Sequence, residues 1–398
     1  MLSYIKQTVP RLYVFNPSYE GALHYAYAQH YLPRKEVVRM AIDLSPLLQL
    51  CMKEGDYLWL PEYEQIANHK GEIQLFSALP SSLRLTAWGW EPHTFRHLTK
   101  SLEKEKISLL CPPLHKEYYE LAHRSAGVGL LQHLCDTLDY PSYLIPQWVY
   151  PKATIKDTEK ALLETAERVH HNYPTPQLFT KQPYTSSGRG VAPQPYPISD
   201  FYVARLAQQC EKAGGISIEP MWEVEENWAA EFYISPEGDV SFIAWSYFYT
   251  GAGKKSYAGN RLCAQNELWK ELYKNFGKDT IDTLVHTLSD YLKTVVSPHY
   301  QGYVGIDMFT YQEGNQHNLH PCVEINLRMT MGLLAHFAYE RYVPSGYTGK
   351  FHILHSKKDL ATAYLTIEKS LKSQGYRFIP LTLPTTESQF GAYIEIVG

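Results

Sequence analysis

Two alternating runs, residues 302–308 (GYVGIDM) and 322–328 (CVEINLR), constrain this chain more than any other stretch. In the first, Val304, Ile306 and Met308 alternate with Gly305 and Asp307; in the second, Val323, Ile325 and Leu327 alternate with Glu324, Asn326 and Arg328. Side chains of a strand change face at every residue, so each run offers one apolar and one polar face. The polar segment between them, Glu313-Gly314-Asn315-Gln316, reads as a hairpin loop. A hairpin gathers Asp307, Glu324 and Asn326 on one face, with Arg328 one step further on. Two acids and an amide so placed raise each other's proton affinity unless a cation lies among them. A small set of hard oxygen donors, with no His or Cys, suits Mg²⁺ completed by phosphate and water. The plainer reading is a solvated strand face with a surface ion pair.

Composition sets broad limits. The 398 residues are enough for two or three packed units, and 44% apolar with 20% charged residues describes an ordinary globular chain. A net charge of −4 and the lack of a long basic run argue against a nucleic-acid partner. The six cysteines lie far apart, without a Cys-x-x-Cys, and read as buried thiols of a reducing compartment. The first residues lack the layout of a signal peptide, and no apolar run reaches the ~20 residues of a membrane span. The expectation is a cytoplasmic protein. The 32 tyrosines have no explanation in the sequence beyond packing.

Residues 11–15 (RLYVF) read as a strand that enters a helix over 17–31 through Asn16-Pro17-Ser18. Loops at the carboxyl ends of such strands face ligands, so Asn16, Ser18 and Glu20 either contact substrate or only cap the helix. Further strands at 56–60 and 83–88, punctuated by prolines, make residues 1–115 one α/β domain. Residues 116–138 are helical; Gly127 and Gly129 begin a Gly-x-Gly, but Gln132 takes the place of a third glycine and removes the dinucleotide fingerprint. A helix is predicted over 157–170.

Residues 177–191 (QLFTKQPYTSSGRGV) carry Lys181 on a short strand, followed by Thr185, Ser186, Ser187, Gly188, Arg189 and Gly190. Small hydroxyl and glycine residues let backbone N–H groups approach phosphate oxygens, and the lysine adds a point charge. The alternative is a surface loop, with Arg189 solvated. Residues 251–256 (GAGKKS) fail the P-loop pattern, because Lys255 follows Lys254 and Phe248 replaces the first glycine. One long amphipathic helix is expected over 267–295, then helices at 333–342 and 356–375, and strands at 376–383 and 391–397.

GYVGIDMF followed by VEINLRMTMG resembles the metal-binding end of the ATP-grasp superfamily. The family usually has proline after the asparagine, where this chain has Leu327. The resemblance spans residues 116–340 and implies an α/β plus α+β chain: an N-terminal α/β domain (1–115), an ATP-grasp domain (116–345) of two lobes hinged near 219–222, and a C-terminal segment (346–398) packed on the catalytic part. It implies Mg²⁺ on Asp307, Glu324 and Asn326, two ions in all, with Mn²⁺ as a substitute. Lys181 and Arg124 would reach the ATP phosphates under a lid of residues 185–190. Glu219, Met221 and Trp222 would meet the adenine and Glu231 the ribose, with Glu225 and Glu226 as rivals. Arg328 would stabilise an acyl phosphate. The implied reaction joins a small-molecule or peptide carboxylate to an amine or thiol with release of ADP and phosphate, in a protein that could be a homodimer. Two other readings remain: a regulatory nucleotide-binding module without turnover, and a glycosidase acid pair, which leaves Lys181 and the glycine loop unexplained.

Overall fold

The computed structural model describes residues 9–25, 31–184, 190–251, 257–356 and 359–397. It divides into two compact units: residues 1–114, 259–264 and 328–398 form one, and residues 115–258 and 265–327 the other. The segment 346–398, expected to pack on the catalytic part, groups instead with the N-terminal residues.

The first unit contains a six-stranded sheet in the order Ile73–Gln74, Gln65–Asn68, Tyr57–Leu60, Arg11–Val14, Ser82–Ala87, Ser108–Leu110. The last four run parallel. Leu12, Tyr13 and Val14 are buried at its centre. The helix expected over 17–31 is described only as Tyr19–His24, and residues 26–30 lie outside the described part.

A second set of strands in this unit is antiparallel. Residues 259–262 pair with Thr348–His355, which pairs with Phe390–Val397, which pairs with Arg377–Pro380. A Cβ on Gly259 would lie 2.1 Å from the Phe351 carbonyl oxygen, so only glycine permits this approach. What ties the C-terminal strand to the N-terminal residues is Asp43, buried at the end of the helix Lys35–Leu44. Its Oδ2 accepts from the backbone N–H groups of Gln389 (2.8 Å) and Phe390 (3.0 Å), and its Oδ1 pairs with Arg39 Nη2 at 2.5 Å. Asp43→Ala strands two backbone donors and should cost about 2–4 kcal/mol of unfolding free energy in urea titration. A loss under about half a kilocalorie per mole would remove this clamp from the account.

The second unit contains two antiparallel sheets. One has the order Gln147–Val149, Ile216–Pro220, Gln177–Lys181, Val191–Pro195. The helices Ile155–Asn172 and Asp200–Ala213 cover one side, burying Leu162, Val169, Leu178, Val203, Leu206 and Ile218. Thr154 caps the first helix by accepting from the Asp157 N–H, and Gly214 stops the second at φ 78°. The other sheet places Gln316–Asn326, Gly302–Glu313, Val224–Ile234 and Val240–Thr250 side by side. The single helix expected over 267–295 is two, Gln265–Phe276 and Lys278–Tyr291, because Gly277 between them takes a left-handed φ of 87°. All six cysteines are free; four are buried, and Cys111 and Cys135 are half-buried. No helix of the described residues is long and apolar enough to cross a membrane.

Candidate active site

The expected hairpin forms. Gly302–Glu313 and Gln316–Asn326 are antiparallel, turning at Gly314 (φ 61°), with Glu313 opposite Gln316. Asp307 stands directly opposite Glu324, and Gly305 opposite Asn326. Directly opposed residues share a face, so the two carboxylates and the amide are brought together. Between Asp307 and Phe309 the register shifts, which leaves Pro321-Cys322-Val323 facing Met308 alone. A bulge is where a strand proline, lacking an N–H, is tolerated. On the neighbouring strand Ala229 opposes Asp307 and the buried Glu231 opposes Gly305, so Glu231 joins the same face. Burial and then the negative charge of Glu231 push the Tyr257 phenol well up.

Arg124 sits between the helices Lys116–Ala122 and Ala126–Leu138. Its Nε lies 3.2 Å from Glu324 Oε1, and its Nη2 donates to Glu324 Oε2 at 3.2 Å. Its Nη1 donates to the carbonyl of Gln182 at 2.6 Å. The guanidinium thus spans one expected metal ligand and the residue that follows Lys181. Sequence reasoning gave Arg124 to phosphate and did not foresee this ion pair.

Lys181 and Glu219 lie on adjacent antiparallel strands, diagonal across the register. Nζ and Oε1 are 2.5 Å apart, and Glu219 is only 3% exposed. The sequence assigned them separate roles; the fold makes them one buried ion pair. A small cavity beside them is lined by Arg124, Gly127, Trp148, Lys181, Ser217 and Cys322. The Ser217 hydroxyl is buried there without a partner among the described residues.

The hinge residues differ from one another. The Met221 N–H donates to the Gln177 carbonyl at 3.1 Å, and the side chain is exposed. The Trp222 ring is buried among Tyr143, Tyr173, Phe309, Tyr311 and His320, with centroids 4.8–6.2 Å away. Phe309, Tyr311 and Glu313 continue the Asp307 face along the strand, since each is two residues beyond the last. A cavity of about 710 Å³ lies toward the hairpin turn, lined in part by Tyr140, Tyr143, Tyr311, Glu313, Asp279 and His317. The aromatic wall of Phe309 and His320 was missed from sequence; the signal was present as alternation past Asp307.

Gly190 is described, with φ 61° and its carbonyl accepting from the Gln182 N–H at 2.9 Å. Ser186, Ser187, Gly188 and Arg189 lie outside the described residues. Arg328 belongs to the first unit, where its Nε donates to the Tyr19 hydroxyl at 3.1 Å.

Among the described residues no three His, Cys, Asp or Glu side chains are grouped to hold a metal. The opposed carboxylates with one amide are instead the sparse oxygen set that Mg²⁺ accepts when phosphate completes the shell. On donor chemistry the residues fit that ion, with Arg124 now neutralising Glu324.

His320 is buried, 1% exposed, and burial first, then the positive Lys181, lowers its pKa to about 3. The unfolded chain binds this proton near pH 6.5, so stability falls as pH drops from there toward 3. His320→Phe should make the acid limb of the stability–pH curve shallower by up to about 1.4 kcal/mol per pH unit. His123, lowered to about 4 mainly by burial, adds a slope of the same sign and remains in the variant. An unchanged limb would show that His320 does not titrate in this range.

No protein-family model and no curated protein sequence matches the chain. Among solved structures it is similar to the ADP complex of PurK, N5-carboxyaminoimidazole ribonucleotide synthetase, with a TM-score of 0.50 and 12% identity over 98% of this chain and 93% of that one. The synthetase of the same name from Thermus thermophilus gives 0.46 and 13% over 97% and 93%. Campylobacter jejuni biotin carboxylase gives 0.46 and 12% over 79% and 71%. The chain has the ATP-grasp fold, as the hairpin motif led one to expect.

Proposed function

We propose that this protein is an ATP- and Mg²⁺-dependent ligase that joins a carboxylate to an amine or thiol through an acyl phosphate. The observation that carries the reading is the register that sets Asp307 directly against Glu324 with Asn326 one step on. Arg124 reaching from Glu324 to the Lys181 strand supports it. A nucleotide-binding module has no need of opposed carboxylates beside a buried lysine.

The reaction has two steps. A substrate carboxylate oxygen attacks the γ-phosphorus, and ADP leaves with the electron pair of the broken P–O bond. An amine or thiolate then attacks the acyl carbon; inorganic phosphate leaves, and an amine nucleophile gives up its proton. Such transfers need positioning and charge neutralisation more than a nucleophilic side chain. Asp307, Glu324 and Asn326 would hold Mg²⁺, which spreads phosphoryl charge when bound. Lys181 would give one ammonium to the phosphates while Glu219 fixes its position. Arg124 would exchange Glu324 for a phosphate oxygen, keeping a charged partner throughout. Phe309, Trp222 and His320 would supply an apolar, largely neutral wall for the base, and Glu231 a carboxylate for the ribose hydroxyls. Arg328 is the cation this reading keeps for the acyl phosphate, and the stretch 185–189, outside the described residues, is where it puts a lid that excludes water.

Thermal unfolding with ATP, with Mg²⁺ and with both tests the reading. Saturation at 100 times the dissociation constant adds about 2.7 kcal/mol. A clear rise in Tm that needs both ligands, followed by ADP release with a carboxylate and an amine, is the expected result. No shift with either would overturn it, and a shift without ADP release from any acceptor would favour the module without turnover.

A further inference from the structure

The strand Ile216–Pro220 alternates. Ile216 and Ile218 turn toward the helices that cover the four-stranded sheet and are buried against them. Ser217 and Glu219 therefore turn to the opposite face. There Ser217 stands directly opposite Lys181 on one neighbouring strand and Trp148 on the other. Directly opposed residues share a face, so the serine hydroxyl belongs to the same surface as the Lys181–Glu219 ion pair. The ligation chemistry leaves this hydroxyl unused.

Ser217 is 1% exposed, and its Oγ has no hydrogen-bond partner among the described residues. It borders a cavity with room for one oxygen-sized group. The walls explain why the hydroxyl proton is stranded. Val128, Pro146 and Val323 are apolar. Among the described residues no carboxylate or side-chain amide lines the cavity, and its two charged side chains, Arg124 and Lys181, carry only donors. The Cys322 thiol is kept protonated by burial first and then by the negative Asp307 and Glu324, and it donates to the Gly127 carbonyl at 3.8 Å.

The two cations each have a carboxylate, Glu324 for Arg124 and Glu219 for Lys181. The hydroxyl between them has lost its water and gained nothing in return. A buried hydroxyl left unpaired costs the fold its desolvation, which an alanine would not. Stability alone therefore favours alanine at this place, whereas a bound oxyanion favours serine.

We propose that Ser217 is a phosphate-binding residue. Its Oγ–H donates to one oxygen of the phosphate group that Lys181 neutralises, and that oxygen occupies the cavity. The lysine supplies charge, and the serine, as a neutral donor of fixed position, supplies direction. The assignment to a nucleotide phosphate rests on the function proposed above; the affinity for a phosphate oxyanion does not.

The test compares the parent with Ser217→Ala, by thermal unfolding without ligand and by calorimetric titration with ADP and with inorganic pyrophosphate. A chelator is present throughout, so that only donors of the protein act. The variant should unfold at the same temperature as the parent or higher, since the fold loses an unpaired buried polar group. Its Kd for ADP should rise about tenfold, and that for pyrophosphate with it, the usual effect of losing one hydrogen bond to a charged group. A hydroxyl that serves only the fold, or that binds only a water, would instead make the variant unfold earlier or leave both affinities unchanged. Either result overturns the proposal, as does a parent that binds neither probe. ATP turnover separates this outcome from that of the ligase reading. Serine-dependent binding of ADP or pyrophosphate in a protein that never releases ADP from ATP overturns the ligase and keeps Ser217 as a phosphate ligand. Turnover with affinities unmoved by the substitution does the reverse.

Discussion

Lys181→Met is expected to lower ATP turnover by about 10²–10³ and to destabilise the protein at once. The methionine keeps the length of the side chain but leaves Glu219, 3% exposed, without the cation at 2.5 Å. Breaking one side of a buried pair typically costs about 3–5 kcal/mol. The stranded carboxyl meets part of that cost by taking a proton, so the deficit should shrink as the medium is acidified. The double variant Lys181→Met with Glu219→Leu separates the two roles. Replacing both partners with apolar groups should recover most of the stability. Turnover should stay down by about 10²–10³, the usual effect of removing a group that stabilises transition-state charge. If the double variant turns over ATP, the lysine is only a structural partner.

Glu324→Gln has the second large effect, and its sign differs between ligands. The glutamine can still accept from Arg124 through one oxygen, so stability should change by no more than about 1–2 kcal/mol. Mg²⁺-dependent turnover should fall by at least about 10²-fold, because one carboxylate ligand is gone. ATP without Mg²⁺, however, should bind at least as well as before. The Arg124 guanidinium, in the native protein paired with Glu324, would face the phosphates with its charge no longer neutralised. Titration of ATP in the presence of a chelator measures this directly. Unchanged ATP consumption by the variant would count against the whole site, as would weaker binding of the metal-free nucleotide.

Alternation alone was enough to see the hairpin, because a slip of one residue would turn the apolar side chains of either strand to the other face. Asp307 and Glu324 share a face for that reason, and the register shift between Asp307 and Phe309 then sets them directly opposite. Pairings across long separations could not be read so. Arg124 and Glu324 are 200 residues apart, and nothing in the local pattern of either names the other. Lys181 and Glu219 were both singled out, but their union depends on the register of the strands Gln177–Lys181 and Ile216–Pro220, which pattern does not fix. The helix break at Gly277 was legible in principle; amphipathic periodicity continued across it and hid the one residue that takes φ 87°. Some of the tyrosines gain a meaning only in three dimensions, where Tyr143, Tyr173 and Tyr311 gather around Trp222.

The first unit is assembled from early and late parts of the chain, with Asp43 gripping Gln389 and Phe390. During synthesis, then, a segment made early waits for one made much later. The six-stranded sheet of residues 11–110 can form soon after it emerges, but its acidic clamp stays open until the strand Phe390–Val397 has left the ribosome. Domains usually complete themselves in the order in which they emerge; here the first unit closes after the uninterrupted stretches of the other have been made. A nascent chain arrested after the helix Met331–Tyr342 should therefore carry a first unit that proteases still cut, and release of residues 389–390 should be the event that seals it.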